Sequence, residues 1–424
     1  MEHKKIRWRR LDASGKLFPF VSNKKLSSVF RISVVLKEKI KPEILEKALN
    51  QVLVKHPSFK VMLRRGFFWY YFEQNTRNAK VELENTYPCQ YIEKRKTKGY
   101  PFRVSYYEKK INLEVFHSLT DANTATKFLK ELTYEYIDLK KNVSPEKRNS
   151  LNEFVDDVED SYLKNYDKEK NKSVKLRRAY NIQGKRLPFG ARGVLHFYMD
   201  LNSVKSVSKA AGATITEYLT AVLAYSIYLE KHKKNNAKKP IIINIPVDMK
   251  KFYKSQTALN FFLFVTITVE FEPGKVYGFD EFLRIILSEF DKRLTHDKLE
   301  NAMTSTVKKG SNIFTRITPM PLKKIITYPT YMYSIRNITT TLSNIGNIKV
   351  LDEYKKEIDT FLFIFAPDNI GNTKCSLVSY GDKIIFSFMS LLADCDIEKR
   401  FYQILKEKNI KIKVEGNGVY EFIS

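Results

Sequence analysis

Cysteine is scarce in this chain. Its three cysteines, Cys89, Cys375 and Cys395, lie far apart in 424 residues, which excludes a disulfide framework and any Cys-x-x-Cys metal spacing. That usage fits a reduced, cytoplasmic protein without a metal site. Long hydrophobic runs are missing too. The longest, about Leu259 to Val265, continues as an alternating strand to Phe271 and falls well short of the roughly 20 apolar residues a bilayer-spanning helix needs. The basic start, MEHKKIRWRRLDASGK, is followed by no apolar core, so neither a secretory signal nor a lipidation site is expected. There is no internal repeat with a period of roughly 20–50 residues. No basic block exceeds a few residues, despite a net charge of +27.

What is present points to a packed protein. Hydrophobic residues make up 43% of the chain and aromatics 13%, ample for a core, and the length favours two domains. Lysines spread along the whole chain with acidic residues between them, so the ordinary reading of the charge is a solvated basic surface. An anionic cofactor, a membrane surface and RNA are the alternatives. The even spread argues against a nucleic-acid binder.

Hydrophobic periodicity divides the chain into mixed strands and helices. Strands are expected at Phe30 to Leu36, Phe102 to Tyr107 and Ile111 to Phe116, with a hairpin turning at Gly66. An amphipathic helix is expected over Lys41 to Val54, and another from about Asn123 to Tyr136. Residues 138–190 are charged and lack apolar periodicity, which reads as a connector. Beyond it come a strand at Val194 to Met199 and a helix from about Thr216 to Lys231, with Thr214 or Thr216 as its cap. Strands are then expected at Ile241 to Ile245, Phe262 to Phe271, Ile338 to Leu342, Phe361 to Phe365, Lys374 to Tyr380 and Lys383 to Met389, and a last helix near Asp396 to Lys408. Without strict βαβ alternation, the expected fold class is α/β with mixed sheets in two lobes. The lobes are assigned to residues 1–165 and 166–424.

One motif carries chemistry. In INLEVFHSLTDANTATKFLK a strand ends at Phe116, His117 follows, Asp121 comes four residues later, and a helix begins. A strand-to-helix junction holds a side chain rigidly at a cavity wall, and a neutral imidazole accepts a proton near pH 7. Asp121 can turn away from the cavity and pair with a basic group, locking the loop. The spacing alone is not specific, since chance gives it roughly one time in three. It recurs here as His196 and Asp200 in VLHFYMDLN. His196 lies inside a strand, where four residues span roughly 13 Å, and Asp200 reads as a helix cap, so a structural role is assigned there.

Other segments agree with the first motif. LFPFVSNKKLSSVFRISVVL, KHPSF, RRGFFWYYFEQN, GATITEYLTAVLAY, IINIPVDMKKFY, TALNFFLF, TLSNIGNIKV and IKIKVEGN occur in order along the chain. Together with FHSLTDA they resemble the bacterial alcohol acetyltransferase branch of the superfamily that also holds chloramphenicol acetyltransferase and peptide-synthetase condensation domains. The resemblance implies two chloramphenicol-acetyltransferase-like lobes, each with a mixed sheet, meeting along a channel with His117 in the middle. It implies transfer of an acyl group, acetyl by expectation, from a thioester to a hydroxyl or amine, with His117 as general base. No permanently bound cofactor and no metal are implied. The donor is acyl-coenzyme A or an acyl carrier protein, and the acceptor an alcohol or amine. Asp121 and Lys60 are implied as supports of the catalytic loop. Asp248, Lys250, Lys251, Asn344 and Gly346 are candidates for the channel or the donor site. Ala122 stands where the superfamily has glycine, and Lys60, Lys250 and Lys251 stand where arginine is common.

Two other readings stay open at this point. One is a catalytically degenerate binding or scaffold protein on the same fold, and the other a basic-surface nucleic-acid binder. Trp69, Tyr70 and Tyr71 read as sheet packing, His56 as a helix terminus and His232 as a surface residue.

Overall fold

A computed structural model describes residues 8–143, 156–166, 177–234, 238–272, 274–311, 317–368 and 370–421. Much of the expected connector over 138–190 lies outside these residues.

The first sheet has five strands in the order Ile358–Phe365, Val29–Leu36, Lys110–Phe116, Phe102–Tyr107, Val81–Leu83. Its strands alternate cleanly. Phe30, Ile32, Val34 and Leu36 point into one core with Ile111, Leu113 and Val115. The helices Pro42–Lys55 and Ala122–Lys141 cover that face. Leu45, Ala48, Leu49, Val52 and Leu53 of the first recur at helical spacing and are buried. Phe59, just beyond this helix, stacks on Phe128 of the second at 4.1 Å, and Lys55 pairs with Glu135 at 2.8 Å. The opposite face of the sheet is polar. Arg31 is paired there with Glu84 and Glu114, and Ser33 donates to the Asn112 side chain at 2.7 Å.

The second sheet has seven strands in the order Phe262–Val269, Ile241–Asp248, Thr340–Asn347, Thr373–Tyr380, Lys383–Ser390, Gly193–Asp200, Ile412–Gly416. It is mixed: Thr340–Asn347 runs parallel to both of its neighbours, and the other pairs are antiparallel. The helix Ile215–Ile227 is buried on most sides, between the helices Phe279–Arg293 and Asp396–Glu407. It starts with a capping box, in which the Glu217 N–H donates to Thr214 Oγ1 and the Thr214 N–H to Glu217 Oε2. Its last turn widens into a π-helical turn, Tyr228–His232. His232 is therefore not on the surface: its ring centroid lies 3.9 Å from that of Phe271, and Nε2 bonds to the Lys239 carbonyl at 2.9 Å.

The strand Ile358–Phe365 crosses from the second half of the chain to the first sheet, pairing antiparallel with Val29–Leu36 from Ile358↔Leu36 to Phe365↔Phe30. A small antiparallel sheet of Trp8–Arg10, Tyr70–Gln74 and Val61–Arg65 completes the architecture. The fold class is mixed α/β with mixed sheets, as the sequence predicts.

Candidate active site

The Lys110–Phe116 strand ends where the His117 N–H donates to the Ser28 carbonyl at 3.0 Å, a last ladder bond that ties the motif to the sheet. Asp121 then caps the helix Ala122–Lys141. Its backbone is extended, and its Oδ1 accepts from the Thr124 N–H at 3.0 Å. Ala122 is the first helical residue. A helical φ needs none of the freedom glycine supplies, so alanine fits there without strain.

Segment 248–261 of the second half clasps this loop. The Asp121 Oδ2 pairs with Lys250 Nζ at 2.7 Å and accepts from the Phe261 N–H at 3.3 Å. Lys250 Nζ also donates to Thr124 Oγ1 at 2.6 Å, and the Thr120 hydroxyl to the Ala258 carbonyl at 2.6 Å. Burial acts to raise the Asp121 carboxyl, but Lys250 and the two backbone donors outweigh it and hold it below its ordinary range. The Asp121 oxygens thus bond to a cation and two backbone donors, and the hydrogen bond of the His117 ring goes to Asn260.

The His117 ring sits among three aromatic rings. Phe18 stacks on it with centroids 4.7 Å apart, Phe30 meets it edge-on at 5.1 Å, and Phe262 lies at 5.3 Å. Its Nδ1 lies 3.1 Å from Oδ1 of Asn260. The orientation of that amide is fixed by its other end. Asn260 Nδ2 has two pure acceptors, Asp12 Oδ2 at 2.9 Å and the His117 carbonyl at 3.1 Å. Oδ1 must then face Nδ1, and Nδ1 must carry the proton. Nε2 is left with its lone pair and no hydrogen bond to a described residue. Asp12 is itself held, since its Oδ1 accepts from the Gly15 N–H at 2.7 Å and the Ser14 hydroxyl at 2.8 Å. Burial lowers the imidazole below its ordinary value, and a hydrogen bond to its own backbone, then Asp121, Asn260 and Asp12, only partly offset that. The ring is therefore neutral at pH 7, the form a general base requires.

Nothing in the spacing of the sequence marks Asn260 or Asp12 as part of the site. The available signal was one polar residue interrupting the apolar stretch Leu259 to Val265. A lone amide there is costly to bury unless it is fully bonded.

The remaining candidates scatter. Asp248 flanks the clasp, accepting from the Lys250 N–H at 3.0 Å and from Asn123 Nδ2 at 2.9 Å. Burial, and then Asp121, raises its carboxyl. Lys251 is exposed. Lys60 starts the Val61–Arg65 hairpin, and its side chain makes no ion pair with a described residue; the cation on Asp121 is Lys250. Asn344 and Gly346 lie within a strand rather than in a turn after one. Asn344 Oδ1 accepts from the Gly346 N–H at 2.7 Å across a β-bulge, with Gly346 at φ +79°, and Asn344 Nδ2 donates to Thr216 Oγ1 at 2.9 Å. His196 and Asp200 take the structural roles read from sequence. His196 Nδ1 lies 2.7 Å from Ser387 Oγ, and Asp200 caps the helix Leu201–Ala210.

A cleft of about 1070 Å³ opens between the two sheets, lined by Val35, Lys110, His196, Tyr198, Asp359 and Lys413 among others. His117 is not in its wall. Beside Phe116, the apolar cluster Val29, Cys89, Ile92, Val194, Ile364 and Met389 brings the sheets into contact.

No protein-family model matches the chain, and no curated protein matches it. Solved structures do. Polyketide synthase associated protein 5 from Mycobacterium tuberculosis is similar over 94% of this chain and 96% of its own, with a TM-score of 0.60 at 12% identity. A trichothecene 15-O-acetyltransferase from Fusarium sporotrichioides is similar over 96% of both chains, at TM-score 0.60 and 11% identity. The starter condensation domain of rhizomide synthetase, in a complex with C8-CoA and Leu-SNAC, is similar over 95% of this chain and 94% of its own, at TM-score 0.58 and 11% identity. The chain shares their fold. It is the two-lobed condensation-domain and chloramphenicol-acetyltransferase-like architecture, extending over almost the full length on both sides.

Proposed function

We propose that the protein is an acyltransferase that moves an acyl group from a thioester to an alcohol or amine, with His117 as general base. The observation that carries this reading is the bare Nε2 of a neutral His117, its tautomer set by Asn260. Nε2 takes the proton of the acceptor hydroxyl or amine as the acceptor attacks the thioester carbonyl. The tetrahedral intermediate expels the thiolate, and Nε2 returns the proton to that sulfur. No acyl-enzyme is needed. Burial pushes the Cys89 thiol up to about 12 and the Cys395 thiol up to about 11, so neither is a ready nucleophile.

Asn260, Asp121 and Lys250 are positioning residues in this scheme. They hold the tautomer and the loop, and much of the rate enhancement comes from holding both reactants against one base. The neighbours whose names include an acetyltransferase and a condensation domain bound to C8-CoA support acyl-coenzyme A as donor. An acyl carrier protein is the alternative, and an acetyl group the simplest cargo. Lys251 is exposed beside the clasp and suits donor phosphates, while Asn344 and Gly346 shape the second lobe beside the first turn of the helix Ile215–Ile227. The lobes proposed are 1–165 and 166–424, the second lending Ile358–Phe365 to the first. Three buried free thiols suit a cytoplasmic setting, and among the described residues no helix is long and apolar enough to cross a membrane.

A second reading has its own observation. Three aromatic rings pack around His117, and it does not line the interlobe cleft. That favours a catalytically degenerate binding protein on the same fold. The test is thiol release from a panel of acyl-coenzyme A donors with mixed alcohols and amines, comparing wild type with His117→Ala. Acceptor-dependent release that is lost in the variant supports the transferase. Release that survives removes His117 from the mechanism. No release from any coenzyme A or carrier-protein donor favours the degenerate reading.

A further inference from the structure

The helix Met320–Ile335 is amphipathic in no ordinary sense. Met320, Lys323 and Ile335 are buried against the body of the protein, as an inward face should be. The outward face, at positions 322, 325, 326, 329 and 333, carries Leu, Ile, Ile, Pro and Tyr. Ile325 is 68% exposed, Ile326 64% and Tyr333 69%. An exposed helix face that carries large apolar side chains normally meets a partner. The hairpin tip beside it is alike. Phe67 is 72% exposed, and it reaches the helix through a bond from the Met320 N–H to its carbonyl at 3.2 Å. Lys323 Nζ donates to the Phe68 carbonyl at 2.7 Å, fixing tip and helix as one surface.

The stretch of sequence that contains this helix is basic. Between Glu300 and Asp352 the sequence has no carboxylate and seven basic residues, Lys308, Lys309, Arg316, Lys323, Lys324, Arg336 and Lys349. Lys324, Arg336 and Arg65 are exposed on the helix and hairpin, and Lys24 and Lys25 flank Leu26, which packs with Met320. None of these five makes an ion pair with a described residue. A second copy of the chain, itself at +27, would set this basic rim against its own like charges. Exposed aliphatic and aromatic side chains with basic residues beside them fit a fluid anionic surface, which needs no complementary pocket. We propose that Phe67, Phe68, Leu322, Ile325, Ile326 and Tyr333 dock the protein on an anionic lipid membrane. The inference rests on these side chains alone and does not depend on the proposed reaction. The docked helix packs directly on the short helix Phe18–Val21, whose Phe18 stacks on His117.

The test is co-sedimentation of the full chain with vesicles of equal phosphatidylglycerol and phosphatidylcholine, against vesicles of phosphatidylcholine alone. Wild type should bind the anionic vesicles at least about 10-fold better, with binding falling as salt rises. The triple variant Phe67→Ser, Ile325→Asn, Ile326→Asn should lose at least about 10-fold in binding while keeping the wild-type melting midpoint, since all three side chains are exposed. If that variant misfolds, Lys324→Glu with Arg336→Glu serves, with the same loss expected. Equal binding by wild type and variants overturns the proposal. So does a wild-type dimer in solution that the triple variant dissociates, which would make a second copy the occupant. Failure to bind anionic vesicles overturns it as well, and turns the search to an acidic protein.

Discussion

Two histidines in this chain are each followed four residues later by an aspartate, and the fold treats them in opposite ways. His196 lies mid-strand, so its Asp200 is a rise of four residues away and is spent on capping the next helix. His117 sits where a strand ends, so the chain curls and Asp121 folds back to cap the helix and meet Lys250 at 2.7 Å. The same spacing therefore encodes a strand pair in one place and a locked loop in the other. The second difference lies across the lobes. His196 Nδ1 shares a hydrogen bond with a hydroxyl, Ser387 Oγ, which can act as donor or acceptor. His117 faces an amide whose other end is held by a carboxylate and a carbonyl, so one tautomer is enforced. A histidine becomes a candidate base less by its spacing than by what fixes the proton on its far nitrogen.

The largest expected effect separates the two directly. Under the proposed acyl transfer, His117→Ala should lose roughly 100-fold or more in kcat/KM, as removal of a general base does. His196→Gln should stay within about 3-fold, because it touches no reacting atom. Equal losses in a thiol-release assay would break the comparison. Next comes the amide. Asn260→Leu should lower kcat by roughly 10-fold or more with KM little changed, since a base in the wrong tautomer fails while binding survives. A loss confined to KM would assign Asn260 to binding rather than positioning.

Stability offers a third contrast. Lys250→Met leaves Asp121 buried without its cation, and urea unfolding should report a loss of about 3–5 kcal/mol. Asp200→Ala removes only an exposed cap and should cost a small part of that. A Lys250→Met protein as stable as wild type would show that the clasp does not hold the loop. The last contrast is in pH. Burial lowers both imidazoles, His196 to about 3 and His117 by an amount that leaves it below its ordinary 6.5. In each case the unfolded chain takes up a proton that the folded one refuses. Stability is thus lost as pH falls below about 6.5, by at most about 1.4 kcal/mol per pH unit for each histidine. His196→Gln should flatten the fall in melting midpoint between pH 6.5 and 4 while leaving the acid limb of activity in place. That limb should lie below pH 6.5 and belong to His117.

Much of this was legible in the sequence, and the rest was not for physical reasons. Strands such as Phe102–Tyr107 and the helix Pro42–Lys55 declare themselves through period-2 and period-3.6 patterns. The strand-to-helix break after Phe116 and the turn of Asp121 toward a cation followed from local spacing. Which lysine would answer did not. The sequence offers Lys60 as the support of that loop and Lys250 for the channel or donor site, and only the tertiary approach of segment 248–261 brings Lys250 to Asp121. Asn260 was hidden inside an apolar stretch, because a buried amide betrays its role only when its three partners, from Asp12 and His117, come together in space. The helix Met320–Ile335 gives little periodicity to read, because Lys323 is buried while Leu322, Ile325, Ile326 and Tyr333 are exposed.

Everything proposed for His117 turns on a neutral ring, protonated on Nδ1 and bare on Nε2. Nitrogen-15 NMR of the histidine-labelled full chain at pH 7, with His117→Gln to assign the ring, tests it directly. His117 should show a pyrrole-type Nδ1 and a pyridine-type Nε2, with that signature lost in Asn260→Leu. A protonated Nε2, or an imidazolium at pH 7, would contradict it.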